Sequence, residues 1–297
     1  MTKSYLIFIY FIFITSFFYS QKMKTEAITK SGSIQFQQYD DNRIYLESSF
    51  DNEIFSMMID SYSLFSSLPE DWVVNKWKFK KTPYIYSTRD FNNKRKKVRL
   101  RLMKYITIAH TFKATNFYIN PNKNLDNYKI GVLGTDFLNN LNWKFNFKNE
   151  NLCFDEKPFD ISNISIKNEF KKTEFPSLNL KIGDIEHKLT VDLGAASEIS
   201  IPAESKLGEW LIKQYHLSPK LVKSGGANSM NLTDNQYNVF LDSIFIEGTL
   251  IKNVNIKISK NSKVSFIGCG LLKRGVLYLN YNNEDKNIGF VGFELIE

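Results

Sequence analysis

Cysteine, histidine and proline are all scarce in this sequence of 297 residues, with 2, 3 and 7 copies respectively. Each scarcity narrows the field. Two scattered cysteines, Cys153 and Cys269, cannot make a disulfide framework. In an oxidising compartment they could pair; otherwise they stand as two buried thiols. His110, His187 and His216 lie far apart and lack the spacing of metal ligands. No Gly-Xaa-Ser-Xaa-Gly elbow and no phosphate-cradling Gly-rich loop is present. These absences weigh against a metalloprotease, a serine hydrolase and a nucleotide-binding enzyme.

What is abundant points to a β protein. Hydrophobic residues make up 43% and aromatics 15% of the chain, which fits a globular protein and not a disordered one. Phe and Tyr dominate the aromatics, with 25 and 15 copies, and favour strands joined by short polar turns. The net charge of +8 comes from lysines spread along the chain. The exception is the run Asn92-Asn93-Lys94-Arg95-Lys96-Lys97, with Arg99 and Arg101 beyond it. No nucleic-acid recognition motif accompanies that run, and nucleic acid is not an expected partner.

The first twenty residues read as a secretory signal peptide. Lys3 supplies the positive start, Leu6 to Phe18 is almost wholly apolar, and Ser20-Gln21 is a plausible cleavage point. The alternative is an uncleaved anchor, but the apolar run is short for a membrane span. No later segment is long and apolar enough to cross a membrane as a helix. The expectation is an exported protein, periplasmic, cell-surface or secreted. The richness in Lys, Asn, Ile and Phe suggests a bacterial source.

The chain also repeats itself. Val132-Leu133-Gly134-Thr135-Asp136-Phe137-Leu138 matches Phe266-Ile267-Gly268-Cys269-Gly270-Leu271-Leu272 at an offset of 134. Trp143 and Phe145 match Leu277 and Leu279, and Asn146-Phe147 matches Asn280-Tyr281, at that same offset. Upstream, the strand Phe55 to Asp60 and the strand Lys188 to Asp192 each end in Asp, 132 residues apart. Each Asp is followed by small or polar residues, then an apolar residue and a proline, at Pro69 and Pro202. Alternating stretches, Val98 to Ile108 and Val239 to Ile246, lie between the two blocks of each half. A helix is predicted from Pro202 to Leu217, with Leu207, Trp210, Leu211 and Tyr215 on one face. Leu68 to Trp77 reads as its shorter counterpart. The halves divide in the polar stretch 155–175, and Gly225-Gly226 marks a turn.

At the strand ends the sequence resembles the aspartic protease superfamily. Val191-Asp192-Leu193-Gly194-Ala195-Ala196-Ser197 is similar to that family's Asp-Thr/Ser-Gly motif, with Leu193 in the place of the hydroxyl residue. Ile59-Asp60-Ser61-Tyr62-Ser63 is similar too, with Tyr62 in the place of glycine. Ile130-Gly131-Val132-Leu133-Gly134 and Phe266-Ile267-Gly268 supply the family's second element, apolar-apolar-Gly. The resemblance spans about residues 40–295, and each half is nearer in size to a retropepsin subunit than to a pepsin lobe.

The resemblance implies a mostly β fold of two tandem, pseudo-symmetric, acid-protease-like barrel lobes with a cleft between them. The lobes would be residues 21–160 and 161–297. Asp60 and Asp192 would be the catalytic pair, with Ser61, Gly194 and Ala195 as supporting loop residues. Tyr84 and Tyr86 would lie on a flap hairpin, Pro83 to Arg101, turning at Arg89 to Lys97. Its basic tip could steer acidic peptides to the cleft, or simply be solvated. Two facing carboxylates cannot both ionise easily and would share a proton, which makes water-mediated peptide hydrolysis possible with no metal or cofactor. The expectation is a monomeric endopeptidase acting on peptides or proteins. The alternative is an inactive homologue that binds a peptide or protein partner in the cleft.

Overall fold

The computed structural model describes residues 25–89, 95–226, 229–283 and 287–296. The expected signal peptide and residues 90–94 of the basic hairpin tip lie outside the described residues. The described chain is mostly β, and among its residues no helix is long and apolar enough to cross a membrane.

Six strands of the first sheet close on themselves. Ile44–Phe50 pairs with Glu53–Ile59, which runs parallel to Gly131–Leu133. Ser67–Pro69 lies antiparallel to Gly131–Leu133 on its other side, then parallel to Phe112–Asn122. Arg95–Ile108 follows and returns to Ile44–Phe50. A barrel closed this way leaves no unpaired edge in the ring. Ser177–Ile182, Ile185–Asp192, Phe266–Gly268, Ile199–Pro202, Thr249–Ser259 and Ser229–Ile246 pair through a second cycle in the third sheet. In both cycles a three- or four-residue strand carrying the apolar-apolar-Gly motif, or pairing with it, is buried on every side. Leu68, Leu133, Ile199, Ile201 and Ile267 are fully enclosed. Burial of each such side chain contributes roughly 1.5–3 kcal/mol, so this layer is the stiffest support available to whatever follows it in sequence.

A six-stranded sheet joins the two ends of the chain. Its order is Ser31–Gln35, Asn151–Asp155, Asn142–Asn146, Gly275–Asn280, Ile288–Leu295 and Ile166–Lys171, each strand bonded antiparallel to the next. At its centre Trp143 faces Leu279, Lys144 faces Tyr278 and Phe145 faces Leu277. In the repeat Trp143, Lys144 and Phe145 correspond to Leu277, Tyr278 and Leu279, so each central strand pairs antiparallel with its own copy, about the Lys144–Tyr278 pair. The Lys144 ammonium sits 5.3 Å from the Tyr278 ring centre.

Several expectations shift in detail. The helix runs Lys206–Gln214 and starts at Ser205, whose hydroxyl accepts the Gly208 N–H at 3.0 Å. Pro202 instead ends the strand Ile199–Pro202, because its carbonyl is needed by Ser205. Leu68 and Pro69 likewise belong to a strand, and only Trp72–Lys76 makes a single π-helical turn. The polar stretch 155–175 includes a strand, Ile166–Lys171. The hairpin strands Lys80–Arg89 and Arg95–Ile108 pair as far as Arg89 and Arg95, so the turn is tighter than Arg89 to Lys97. Both cysteines are free. Cys269 is fully buried, and Cys153 is half-buried in the six-stranded sheet.

Candidate active site

Two loops built alike carry Asp60 and Asp192. Each Asp stands at the end of a strand and turns its carboxylate back on its own loop. The Tyr62 N–H donates to Asp60 Oδ1 at 2.9 Å, and the Gly194 N–H donates to Asp192 Oδ1 at 2.8 Å. Such Asx turns let a short side chain stand in for backbone. Each loop is then pinned from below. The Thr135 N–H donates to the Ser63 carbonyl at 2.7 Å, and the Cys269 N–H donates to the Ala195 carbonyl at 2.8 Å. Ala195 thus acts through its backbone.

The pinning explains the glycines of the apolar-apolar-Gly motif. A Cβ on Gly134 would lie 2.7 Å from the Ser63 carbonyl oxygen, and one on Gly268 would lie 2.5 Å from that of Ser197. Both obstacles are backbone, which cannot swing aside. Gly134→Ala and Gly268→Ala are each expected to cost about 1–3 kcal/mol or more. Urea unfolding checks this: a midpoint unchanged in either variant would show that the loops have room to move.

The two carboxyl groups meet. Asp60 and Asp192 lie close enough for each carboxyl group to influence the ionisation of the other. Gly194 makes the approach possible, since a Cβ there would stand 2.6 Å from Asp60 Cγ. Burial raises the Asp60 pKa above its ordinary value, against the opposing pull of the Tyr62 and Ser63 N–H groups. Asp192 is pushed well above the usual carboxylate range, by burial first and by the charge of Asp60 second. The pair therefore keeps a proton where an isolated carboxylate would have lost it. Comparison with protein-family models and with curated proteins finds no match.

Ser61 ties the loops together. Its buried hydroxyl donates to the Val191 carbonyl at 2.7 Å and accepts the Leu193 N–H at 3.0 Å. Leu193 has no hydroxyl to return the link, and its side chain is buried among apolar neighbours. Its carbonyl instead accepts from the Cys269 thiol at 3.1 Å. Tyr62, which stands where the resemblance has glycine, packs its ring on Phe175 with ring centres 4.5 Å apart. The Tyr62 hydroxyl pKa is raised, by burial and then by the charges of Asp192 and Asp60. Tyr86 packs on Phe65 of the Asp60 loop, with ring centres 4.7 Å apart, and also bears on Tyr62. Tyr84 packs on Tyr118.

Arg43 is a site residue that motif reading missed. The ladder that pairs Tyr45 with Met58 would, two residues further, set Arg43 opposite Asp60. Its charge lowers the pKa of both Asp60 and Asp192. The neighbouring Asn42 donates to the Ala196 carbonyl at 3.3 Å and accepts from Lys273 at 2.7 Å, tying this corner to the Asp192 loop.

Asp136, in the repeat after Gly134, is a second buried acid. Its Oδ1 accepts from the Ser66 N–H and hydroxyl and from the Phe137 N–H, while Oδ2 is buried with no partner. Burial pushes its pKa up to about 7. A raised folded pKa stabilises the protein fully below the ordinary value of 3.8, and the stabilisation is lost as pH climbs through about 7. Asp136→Asn cannot ionise, so it should gain stability relative to wild type above that pH, on the order of a few kcal/mol. Melting temperatures of both proteins from pH 5 to 9 test this; a constant difference between them would contradict it.

Among the described residues no group of three or more His, Cys, Asp and Glu side chains is placed to hold a metal ion. A polar cavity of about 410 Å³ lies elsewhere, lined by residues that include Asp160, Thr249, Tyr278 and Glu294. It includes none of the residues around the Asp60–Asp192 pair.

Proposed function

We propose that this protein is an exported aspartic-type endopeptidase, with two pseudo-symmetric barrel lobes and Asp60 and Asp192 at the floor of the cleft between them. One observation carries the reading: two buried carboxyl groups, from equivalent strand ends, meet where Gly194 of one loop packs against Asp60 of the other, and both have raised pKa values. The matching cycles of strand pairing and the matching loop bonds at Ser63 and Ala195 support the symmetry. In this reading the ionised carboxylate takes a proton from a water held between the pair. The water oxygen bonds to the peptide carbonyl carbon while the protonated carboxyl donates to the carbonyl oxygen. The C–N bond then breaks, and the leaving nitrogen takes the proton the carboxylate had accepted. The hairpin carrying Tyr86 forms the roof.

The test is incubation of the purified protein with an unstructured protein substrate from acidic to neutral pH. Fragments are expected, and they should vanish when either Asp is replaced by Asn. A well-folded wild type that cuts nothing at any pH, yet still retains peptides, would favour a binding role instead. The substitutions at Tyr62 and Leu193 would be its physical cause.

A further inference from the structure

Beside the carboxyl pair lie two cations that the hydrolysis does not use. Thr190 and Asp192 are two apart on one strand, so their side chains share a face. From Thr190 a single row crosses the sheet through Phe266, Ser200 and Lys257. Lys257 thus lies on the Asp192 face of the sheet, half-buried, where an apolar side chain would serve a plain wall better. Burial lowers its pKa, against the charge of Asp234 first and with smaller effects from Arg43 and Asp192. Arg43 approaches from the Asp60 side. Its charge bears on Asp60, Asp192, Cys269 and Lys257, which sit on four different segments. Its neighbour Asn42 bonds the Ala196 carbonyl, which ties Arg43's segment to the Asp192 loop.

Neither cation is fully satisfied within the protein. Lys257 forms no ion pair among the described residues. The nearby buried carboxylate of Asp234 is already engaged by Gln236, Ser259 and the Asn261 N–H. Arg43 holds Asp41 only at 3.4 Å, and its Nε is buried without a partner. Two like charges held together in a partly enclosed site repel each other, and a bound anion would relieve both.

We infer that Arg43 and Lys257 form a cationic subsite that selects substrates with an Asp or Glu side chain near the scissile bond. The inference rests on the protease reading of the cleft, and it deepens that reading by naming the substrate class. A carboxylate seated there would displace little protein structure and gain charge-assisted hydrogen bonds, which are stronger than neutral ones.

The experiment profiles cleavage of a peptide library by wild type and then compares two matched peptides, with Glu or Gln at the enriched position. Wild type should favour the Glu peptide by on the order of tenfold or more in kcat/KM. Lys257→Met should bring the ratio close to one, and Lys257→Glu should turn the preference toward Lys. Arg43→Lys, which keeps the charge, guards against misfolding and should retain a preference for Glu. Cleavage with no Glu/Gln discrimination, or discrimination intact in Lys257→Met, would overturn the subsite and leave the protease reading standing. If wild type cleaves nothing, fluorescence anisotropy with the same two peptides decides. Tighter binding of the Glu peptide, lost in Lys257→Met, keeps the subsite while the protease reading falls; equal binding sinks the subsite as well.

Discussion

Asp192→Asn should lower the rate of peptide cleavage by about 10²–10⁴-fold, the range spanned by loss of a positioned acid–base group, while leaving the protein folded. The amide keeps the shape of the carboxyl and can still accept the Gly194 N–H that holds the loop. It can neither ionise nor pass on a proton. A second readout separates lost chemistry from lost structure. In wild type both acids have raised pKa values, through burial and, for Asp192, the charge of its neighbour. Their contribution to stability is therefore fully present at low pH and is lost as pH rises through the pair's folded values. Asp192→Asn escapes that loss. Its melting temperature should gain on wild type as pH rises, just where its activity is missing. A variant that is both inactive and less stable at every pH would mean that Asp192 is chiefly a structural residue. The activity of wild type should itself fall at both ends of the pH range, since the mechanism needs one proton on the pair, neither none nor two.

Much of this geometry was legible in the residues because some residue types answer to one backbone requirement. The repeat puts Gly134 and Gly268 at matching places in the apolar-apolar-Gly motif, and the structure sets a loop carbonyl against each. Asp60 and Asp192, as polar residues ending apolar strands, could be read as paired by the repeat. What could not be read was anything that depends on a distant partner. Tyr62 is a large residue in a place that resemblance reserves for glycine, and by size alone it obstructs. Only the position of Phe175, far along the chain, gives the ring somewhere to lie. Arg43 carries no motif at all. It stands just before the strand Ile44–Phe50, whose register against Glu53–Ile59 exists only once the hairpin is formed. Pro202 was read as a helix start because proline suits the first turn, yet the strand register with Ser259 claims it first.

Ser61→Ala is expected to damage stability and activity together, because one hydroxyl carries the whole side-chain link between the loops. In a fully symmetric arrangement each loop would supply a hydroxyl, and losing one would leave the other. Here Leu193 has none to offer. Removing the Ser61 oxygen strands the Leu193 N–H in a buried place, at a cost of about 1–3 kcal/mol for the unmade hydrogen bond. It also frees the Val191 carbonyl, immediately before Asp192, from its 2.7 Å contact. The carboxyl pair is held by this contact on one side and by the Thr135–Ser63 and Cys269–Ala195 backbone bonds below. Those backbone bonds fix each loop to its own sheet and say nothing about the distance between loops. A shift of about 1 Å between reacting groups can cost on the order of 100-fold in rate, so kcat should fall more steeply than substrate affinity. Ser61→Thr preserves the hydroxyl and should recover most of both losses, although its extra methyl must fit a buried site. Comparing kcat, KM and the urea midpoint across wild type, Ser61→Ala and Ser61→Thr tests the argument. If Ser61→Ala keeps wild-type kcat, the two loops are held in register by the six-stranded sheet and the barrel walls alone, and the lone hydroxyl is not what sets the distance between Asp60 and Asp192.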